Sequence, residues 1–481
     1  MSMSNCSLTI MGIAPPRPAV RRIRRVRRHG AACAILLAVA VLSLGVAEVR
    51  AQQAKPESVR GRARPEFAAI GMELGTMLSP LFFGHEFQAL QGFTAFPRFE
   101  AEFETDDNLF NQSNEGVSDN LYRLKPSLNI ASEWANHSLS VEMSGDIGRY
   151  FENKDENFED GKGRVAGGLD ILEEGRLNAA YSFLRGHEIG GAPTKVVTDA
   201  TGPFGAEVAE NFEDATGSTI YNREVYELGL IGSNDPLIAR IESIARYTDY
   251  IDTGTTDNDG RDRWEWVTVP RLGYQFWEDT SLFVQPRYTT RIYDSKIDTV
   301  GNEKDSSDYE LLLGGTYDYS GVTYLDFGVG VIHSDFDERD FRSITGIGYN
   351  VTALWNVTGL TTFTLRALRS NAGSTDSQTK LVQTDNFSLT WDWEALDNLL
   401  VGATAGLSLA HFLPDKTEFD SVGVAIDNRF DTTQTYQFVV DYFPNEYAFA
   451  GLSYSHTVRR SNREANELSK NVFKVRAGIQ L

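Results

Sequence analysis

The stretch Leu121-Tyr122-Arg123-Leu124-Lys125-Pro126-Ser127-Leu128-Asn129-Ile130 decides how this chain is read. Tyr122, Leu124, Pro126, Leu128 and Ile130 alternate with Arg123, Lys125, Ser127 and Asn129. A strand points successive side chains to opposite faces, so this is a strand with one apolar and one polar face. A short break over 132–137 follows, and the alternation then resumes. Leu139, Val141, Met143, Gly145 and Ile147 stand against Ser140, Glu142, Ser144 and Asp146. In a soluble sandwich the charged face meets water outside. In an outer-membrane barrel it lines the lumen, and the apolar face meets lipid. One hairpin does not choose between them; the rest of the chain does.

The same rhythm runs from Phe96 to Leu481. Strand candidates fall at 96–104, 120–130, 138–150, 162–172, 177–184, 223–231, 237–247, 263–275 and 281–292. They continue at 308–319, 323–332, 343–355, 360–368, 381–393, 399–410, 430–443, 447–456 and 469–481. The connections at 133–137, 173–176, 233–236, 277–280, 320–322, 356–359, 394–398 and 444–446 are short and rich in turn formers. They alternate with longer polar connections such as 105–119, 185–222, 248–262, 293–307 and 371–380. Short turns at one end and long loops at the other are the topology of an up-and-down outer-membrane barrel. A soluble sandwich has no reason to segregate loop lengths in this way. The expected fold is therefore all-β, a transmembrane antiparallel barrel of eighteen strands, with sixteen as the alternative. Trp134, Trp277, Trp355, Trp391, Trp393, Tyr442 and Tyr447 lie near short turns, where amphipathic rings favour a lipid–water interface. Pro126, Pro270 and Pro286 fall within expected strands. Proline cannot donate to a ladder, so local irregularities are expected there.

The N-terminus reads as a secretory signal. Arg21, Arg22, Arg24, Arg25, Arg27 and Arg28 precede the apolar run 31–47, and Val49-Arg50-Ala51 offers a cleavage site after Ala51. The alternative, a retained anchor, needs a longer run. Residues 52–95 are a leader that docks at the periplasmic mouth, plugs the lumen or stays loose; the sequence leaves these open. Cys6 and Cys33 both lie in the signal, so the remaining chain is stabilised without disulfides. The signal carries eight Arg and one Glu, and removing it takes the net charge from −22 to −29. That balance argues against a nucleic-acid partner. There is no second apolar run long enough for a helical span, which leaves a barrel open.

Residues 99–188 resemble the opening of the putative β-barrel porin 2 family of outer-membrane proteins. The resemblance is carried by Asp106-Asp107-Asn108-Leu109-Phe110, Ser118-Asp119 and Pro126-Ser127-Leu128. Trp134 with His137, Tyr150, Asn157 with Asp160, and Asp170 continue it. Members of that family are often encoded beside exopolysaccharide genes, so the resemblance implies polysaccharide export through the outer membrane. Such barrels commonly end in an aromatic residue; here Phe473, Val475, Ala477 and Ile479 alternate correctly, but the last residue is Leu481.

The residues themselves point to passage rather than catalysis. His85, His137, His187, His333, His411 and His456 are scattered, with no nucleophile elbow or metal spacing beside them, so no enzyme, metal or cofactor is expected. The run 257–262 imitates a calcium loop, but Thr255 and Trp266 stand where oxygen ligands are needed. The expected partners are outer-membrane lipid and lipopolysaccharide, the barrel assembly machinery and periplasmic polysaccharide export components. The functional reading is a passive channel for hydrophilic solute, an exopolysaccharide secretion porin, with a general diffusion porin as the alternative. Arg240, Arg246, Arg263, Arg271, Arg287 and Arg291 share the polar phase of three successive strands and are the expected selectivity residues. They form either a structural ladder with Glu242, Glu265 and Glu310 or a track for an anionic chain.

Overall fold

The computed structural model describes residues 92–172, 175–188, 219–252, 258–297, 301–319, 321–338, 343–373, 379–414 and 429–481. It also describes residue 58 and the short pieces 71–73, 200–201 and 207–208. The expected signal and most of the leader and of the loop 185–222 fall outside the described residues.

Eighteen strands form the wall. The first nine are β1 (Phe93–Asp106), β2 (Asp119–Ser132), β3 (Ser138–Tyr150), β4 (Phe158–Leu172), β5 (Gly175–Glu188), β6 (Thr219–Asn234), β7 (Leu237–Tyr250), β8 (Arg263–Trp277) and β9 (Thr280–Tyr293). The second nine are β10 (Ser306–Tyr319), β11 (Thr323–Phe336), β12 (Ile344–Thr358), β13 (Thr361–Gly373), β14 (Thr379–Leu396), β15 (Leu399–Pro414), β16 (Arg429–Asn445), β17 (Ala448–Ser461) and β18 (Leu468–Gln480). Each pairs antiparallel with its chain neighbour. The ring closes where β1 pairs with β18, Phe99 opposite Ile479 and Phe103 opposite Val475. Closure leaves the ring without an edge, which is what lets strands cross a bilayer.

The alternation sets the two faces. Ile130, Val141, Val165, Tyr181, Tyr226, Ala245 and Trp266 stand opposite one another across seven successive strands, forming an apolar row around the outside. On β10 to β12, Leu311, Leu313, Val329, Val331 and Ile347 are each at least half exposed, as side chains facing lipid must be. Six of the seven aromatics near the short turns are exposed, from Trp393 at 40% to Trp277 at 70%, and Trp391 is half-buried.

The prolines interrupt the ladder as their chemistry requires. Between β2 and β3 the pairing skips from Leu124–Ile147 to Ser127–Ser144, a gap containing Pro126. Between β8 and β9 it skips from Thr268–Tyr288 to Leu272–Val284, and that register sets Pro270 directly opposite Pro286. Both strands keep their other neighbours across this gap, Pro270 opposite Ile241 and Pro286 opposite Leu311. Two residues without N–H groups thus share one interruption instead of making two.

The long-loop end is not simply open. In residues 107–118, Leu109 turns inward onto Leu121, Tyr150 and Phe158 and is buried to 1% exposure. Asn108 fixes that turn: its backbone N–H donates to Asp106 (2.9 Å), and its side-chain amide donates to the carbonyls of Gln112 (2.8 Å) and Ser469 (3.1 Å). Asp107 accepts from the backbone and side-chain N–H groups of Asn471 on β18 at 2.7 and 2.6 Å. The Asp106–Phe110 run therefore ties the first long loop across the closing seam.

A second departure lies at β12 and β13. These strands pair only from Asn350, opposite Leu368, toward the short turn, which leaves 344–349 paired with β11 alone. Beyond that point the ends of β13 and β14 lean across the inner side of β9 to β12. Asn371 donates to Ser334 (2.9 Å), and the Asn371 carbonyl accepts from Arg291 of β9 (2.8 Å). Gly314 and Gly330 lie on the inner face of this sector. A side chain there would collide with the carbonyl oxygens of Phe327 and Leu311, so only glycine permits the tight bend.

Candidate functional site: the lumen

Inward-facing positions carry the polar phase of every strand, and they divide the lumen into two unlike halves. Along β6 to β13 they are packed. Ile244 is 0% exposed, Val267 and Leu312 are 1% exposed, and Val225, Ile244, Val267 and Val269 form an apolar cluster inside the ring. Along β14 to β18 and β1 to β4 the wall is mixed: Asn129, Glu142, Ser144, Lys162 and Gln437 face inward and are exposed, whereas the acids of β1 and, at the loop end of β14 and β15, Val382 and Phe412 are buried.

The packed half holds the six arginines. Cross-strand register sets Arg246 opposite Glu265 and Glu265 opposite Arg291. Arg246 donates to Glu265 at 2.8 Å, while the guanidinium nitrogens of Arg263 and Arg291 lie 3.7 and 3.5 Å from the same carboxylate. Arg291 also pairs with Asp308 at 2.8 Å. All three arginine side chains are at most 3% exposed. Charges so deep are held by their partners, since a lone buried charge costs several kcal/mol. Nearer the short turns, Arg240 stands opposite Arg271. Arg271 reaches three strands across to Asp326 (2.6 Å), donates to Gln285 (2.5 Å) and lies over the Phe283 ring (3.6 Å). Arg287 stands opposite Glu310. The structure thus gathers the six into two groups at different heights of one wall.

The closing seam carries a second charge network, which alternation alone did not single out. Glu100, Glu102, Glu104 and Asp106 of β1 each pair with a basic residue of β2 or β18. Lys125 reaches Glu102 (2.8 Å), Lys474 reaches Glu104 (2.7 Å) and Lys470 reaches Asp106 (2.6 Å). Arg123 joins Glu104 (3.1 Å) and Asp146. An acidic strand between two basic ones favours one register for the seam, because a slip of one residue turns these charges toward lipid.

At the long-loop end, the Asp262 carboxylate accepts from the Tyr250 N–H at 2.7 Å. Burial pushes this carboxyl up to about 7, and the neighbouring charges of Asp249, Asp259 and Asp294 push the same way. No group of three or more metal-binding side chains occurs among the described residues, and those of 257–262 that are described do not form one.

A closed antiparallel ring with an apolar outer band, outward aromatics and a polar interior defines a transmembrane β-barrel of the outer-membrane type. The chain belongs to the family described as Putative beta-barrel porin 2, whose model matches residues 89–481. That membership makes it an outer-membrane protein of porin type. No curated protein matches it. Among solved structures it is similar to the FrpB iron transporter from Neisseria meningitidis (F3-3 variant), at 11% identity and a TM-score of 0.41, over 76% of this chain and 62% of that one. The chain thus spans less than two thirds of that transporter's length. It is also similar to OpdL from Pseudomonas aeruginosa, at 11% identity and a TM-score of 0.39, over 81% of this chain and 99% of that one. The siderophore receptor PirA from the same organism matches at 8% identity and a TM-score of 0.40, over 80% of each chain.

Proposed function

We propose that this barrel is a passive outer-membrane channel through which an exopolysaccharide leaves the cell. The observation that carries the reading is the wet half of the lumen, a polar wall with exposed side chains inside a closed ring. Such a wall replaces the hydrocarbon barrier without any chemistry. The polysaccharide itself is favoured by the family resemblance of residues 99–188. In this reading the chain is exported by a Sec-type signal, folded by the barrel assembly machinery of a Gram-negative cell and surrounded by lipopolysaccharide. Its long loops face outside, and periplasmic export components deliver the chain to the short-turn end.

The arginine groups have separate roles in this reading. Arg246, Arg263 and Arg291 hold the wall together around Glu265, while Arg240, Arg271 and Arg287, only half-buried at the edge of the packed half, set the preference among small ions. Changing Arg271 and Arg287 together to Gln removes two cations beside Asp326 and Glu310, so the reversal potential across a salt gradient shifts toward cations. Deleting the gene tests the transport itself: polysaccharide then accumulates in the periplasm and disappears outside. Normal external polysaccharide together with slower uptake of small solutes points instead to a general diffusion porin.

A further inference from the structure

The wet half of the lumen has a chemical character of its own. On β14 to β17 the inward positions at mid-height carry hydroxyls and an amide. Register aligns them in rows around the wall: Thr390 opposite Thr404, Thr404 opposite Gln437, and Gln437 opposite Ser455. One step toward the loops, Thr435 stands opposite Thr457. The hydroxyls of Thr390 and Thr404 are 3.1 Å apart, and those of Thr435 and Thr457 are 3.4 Å apart. Gln437 is exposed and the other five are half-buried. Charged inward residues on these strands flank the rows: toward the loops Arg429 pairs with Asp431 (2.7 Å), and toward the short turns Asp441 pairs with Arg476 of β18 while Asp392 and Glu394 are buried. The guanidiniums at the loop end of β7 to β9, by contrast, are sealed in the packed half.

We infer that the transported chain moves along this hydroxyl wall and that it is an uncharged polyhydroxylated polymer, a neutral polysaccharide. The inference rests on the polysaccharide passage proposed above and names its substrate class. A hydroxyl both donates and accepts and turns freely between the two roles. Rows of Thr, Ser and Gln therefore exchange hydrogen bonds with successive sugar hydroxyls at nearly constant energy as a chain advances. A fixed charge exposed on such a wall would favour one sign of ligand and hold it; the hydroxyl rows themselves carry none, and the nearest inward carboxylate, Asp392, is buried at 6% exposure.

The test uses the full-length barrel in a planar bilayer, with a neutral glucan oligosaccharide and an oligogalacturonate of similar length as probes. The neutral oligomer should interrupt the ion current, and the acidic one should do so far less. Thr404→Val with Thr435→Val keeps side-chain shape and removes two hydroxyls, so it should weaken the neutral block about tenfold. Unchanged salt conductance and heat resistance confirm that this variant is folded, and Thr404→Ser with Thr435→Ser should restore the block. Block by the acidic oligomer alone would overturn the neutral assignment and leave polysaccharide passage standing. Neutral block that ignores the valine pair would likewise remove the hydroxyl wall from the path. If neither oligomer interrupts the current, polysaccharide passage falls and this inference falls with it.

Discussion

Replacing Glu265 by Gln removes the one carboxylate that Arg246, Arg263 and Arg291 all approach. Each guanidinium–carboxylate contact at 3–4 Å is worth roughly 4–6 kcal/mol of gross attraction at an effective dielectric of about 20. Desolvation offsets most of that sum, and the net cost of orphaning a buried charge is about 3–5 kcal/mol. Asp308 remains to hold Arg291, which places the expected loss at the lower end, near ~3 kcal/mol. Gln keeps the shape and one acceptor, so the barrel should still assemble. Urea unfolding in lipid vesicles, followed by tryptophan fluorescence, should show the midpoint falling with the slope unchanged. Pairing the change with Arg246→Met should recover a large part of the loss. A Glu265→Gln barrel that unfolds at the wild-type urea concentration would refute the view that this buried network holds the wall.

Two further outcomes follow from the geometry. Val141→Arg puts a charge on the lipid row and should cost about 2–4 kcal/mol if it lies near midplane, whereas Glu142→Arg faces the exposed lumen and should leave heat resistance on gels close to wild type; equal effects would mean the register is off by one. The Asp262 carboxyl has a folded pKa near 7, above its unfolded value of 3.8, so its stabilising contribution is full below about pH 4 and is lost as pH rises through 7. Asp262→Asn keeps an acceptor for Tyr250 and removes the charge, so at pH 8 residues 258–262 should exchange amide hydrogens more slowly in the variant than in the wild type. At about pH 3.5 the two should match, and a difference of the same size at both pH values would exclude titration of Asp262 as its source.

The ring itself was legible because alternation and loop length are local properties. Arg123 against Tyr122 and Leu124 fixes one strand's phase, and short turns fix its partner. The prolines were legible too, since a missing N–H has to fall at a gap in the ladder, although their meeting across β8 and β9 depends on a register the sequence does not state. What covers the inner face was harder to read. Alternation tells which way Ile244, Val267 and Leu312 point, but not that the ends of β13 and β14 lean over that sector. A signal was present in those residues, which place apolar side chains in a phase that a water-filled lumen would keep polar. Leu109 is a similar case: in the polar run 105–119, Leu109-Phe110 is an apolar pair that a fully solvated loop has no use for. The Leu109 turn of the first long loop is buried at the mouth, so a tag there belongs at an exposed position such as Glu115. The grouping of the arginines depends on pairs such as Arg271 with Asp326, three strands apart, which no local pattern specifies.

The most direct test of the divided lumen is to place single cysteines, one at a time, in the otherwise cysteine-free barrel. Thr404→Cys and Thr435→Cys mark the wet half, and Val267→Cys and Leu312→Cys mark the packed half. A membrane-impermeant, charged thiol reagent is then added while single-channel current is recorded. Cysteines at 404 and 435 should react within the recording and step the current down, and those at 267 and 312 should stay unmodified with the current unchanged. Reaction at 267 and 312 as fast as at 404 and 435 would contradict the account, because the lumen would then be open around its whole circumference.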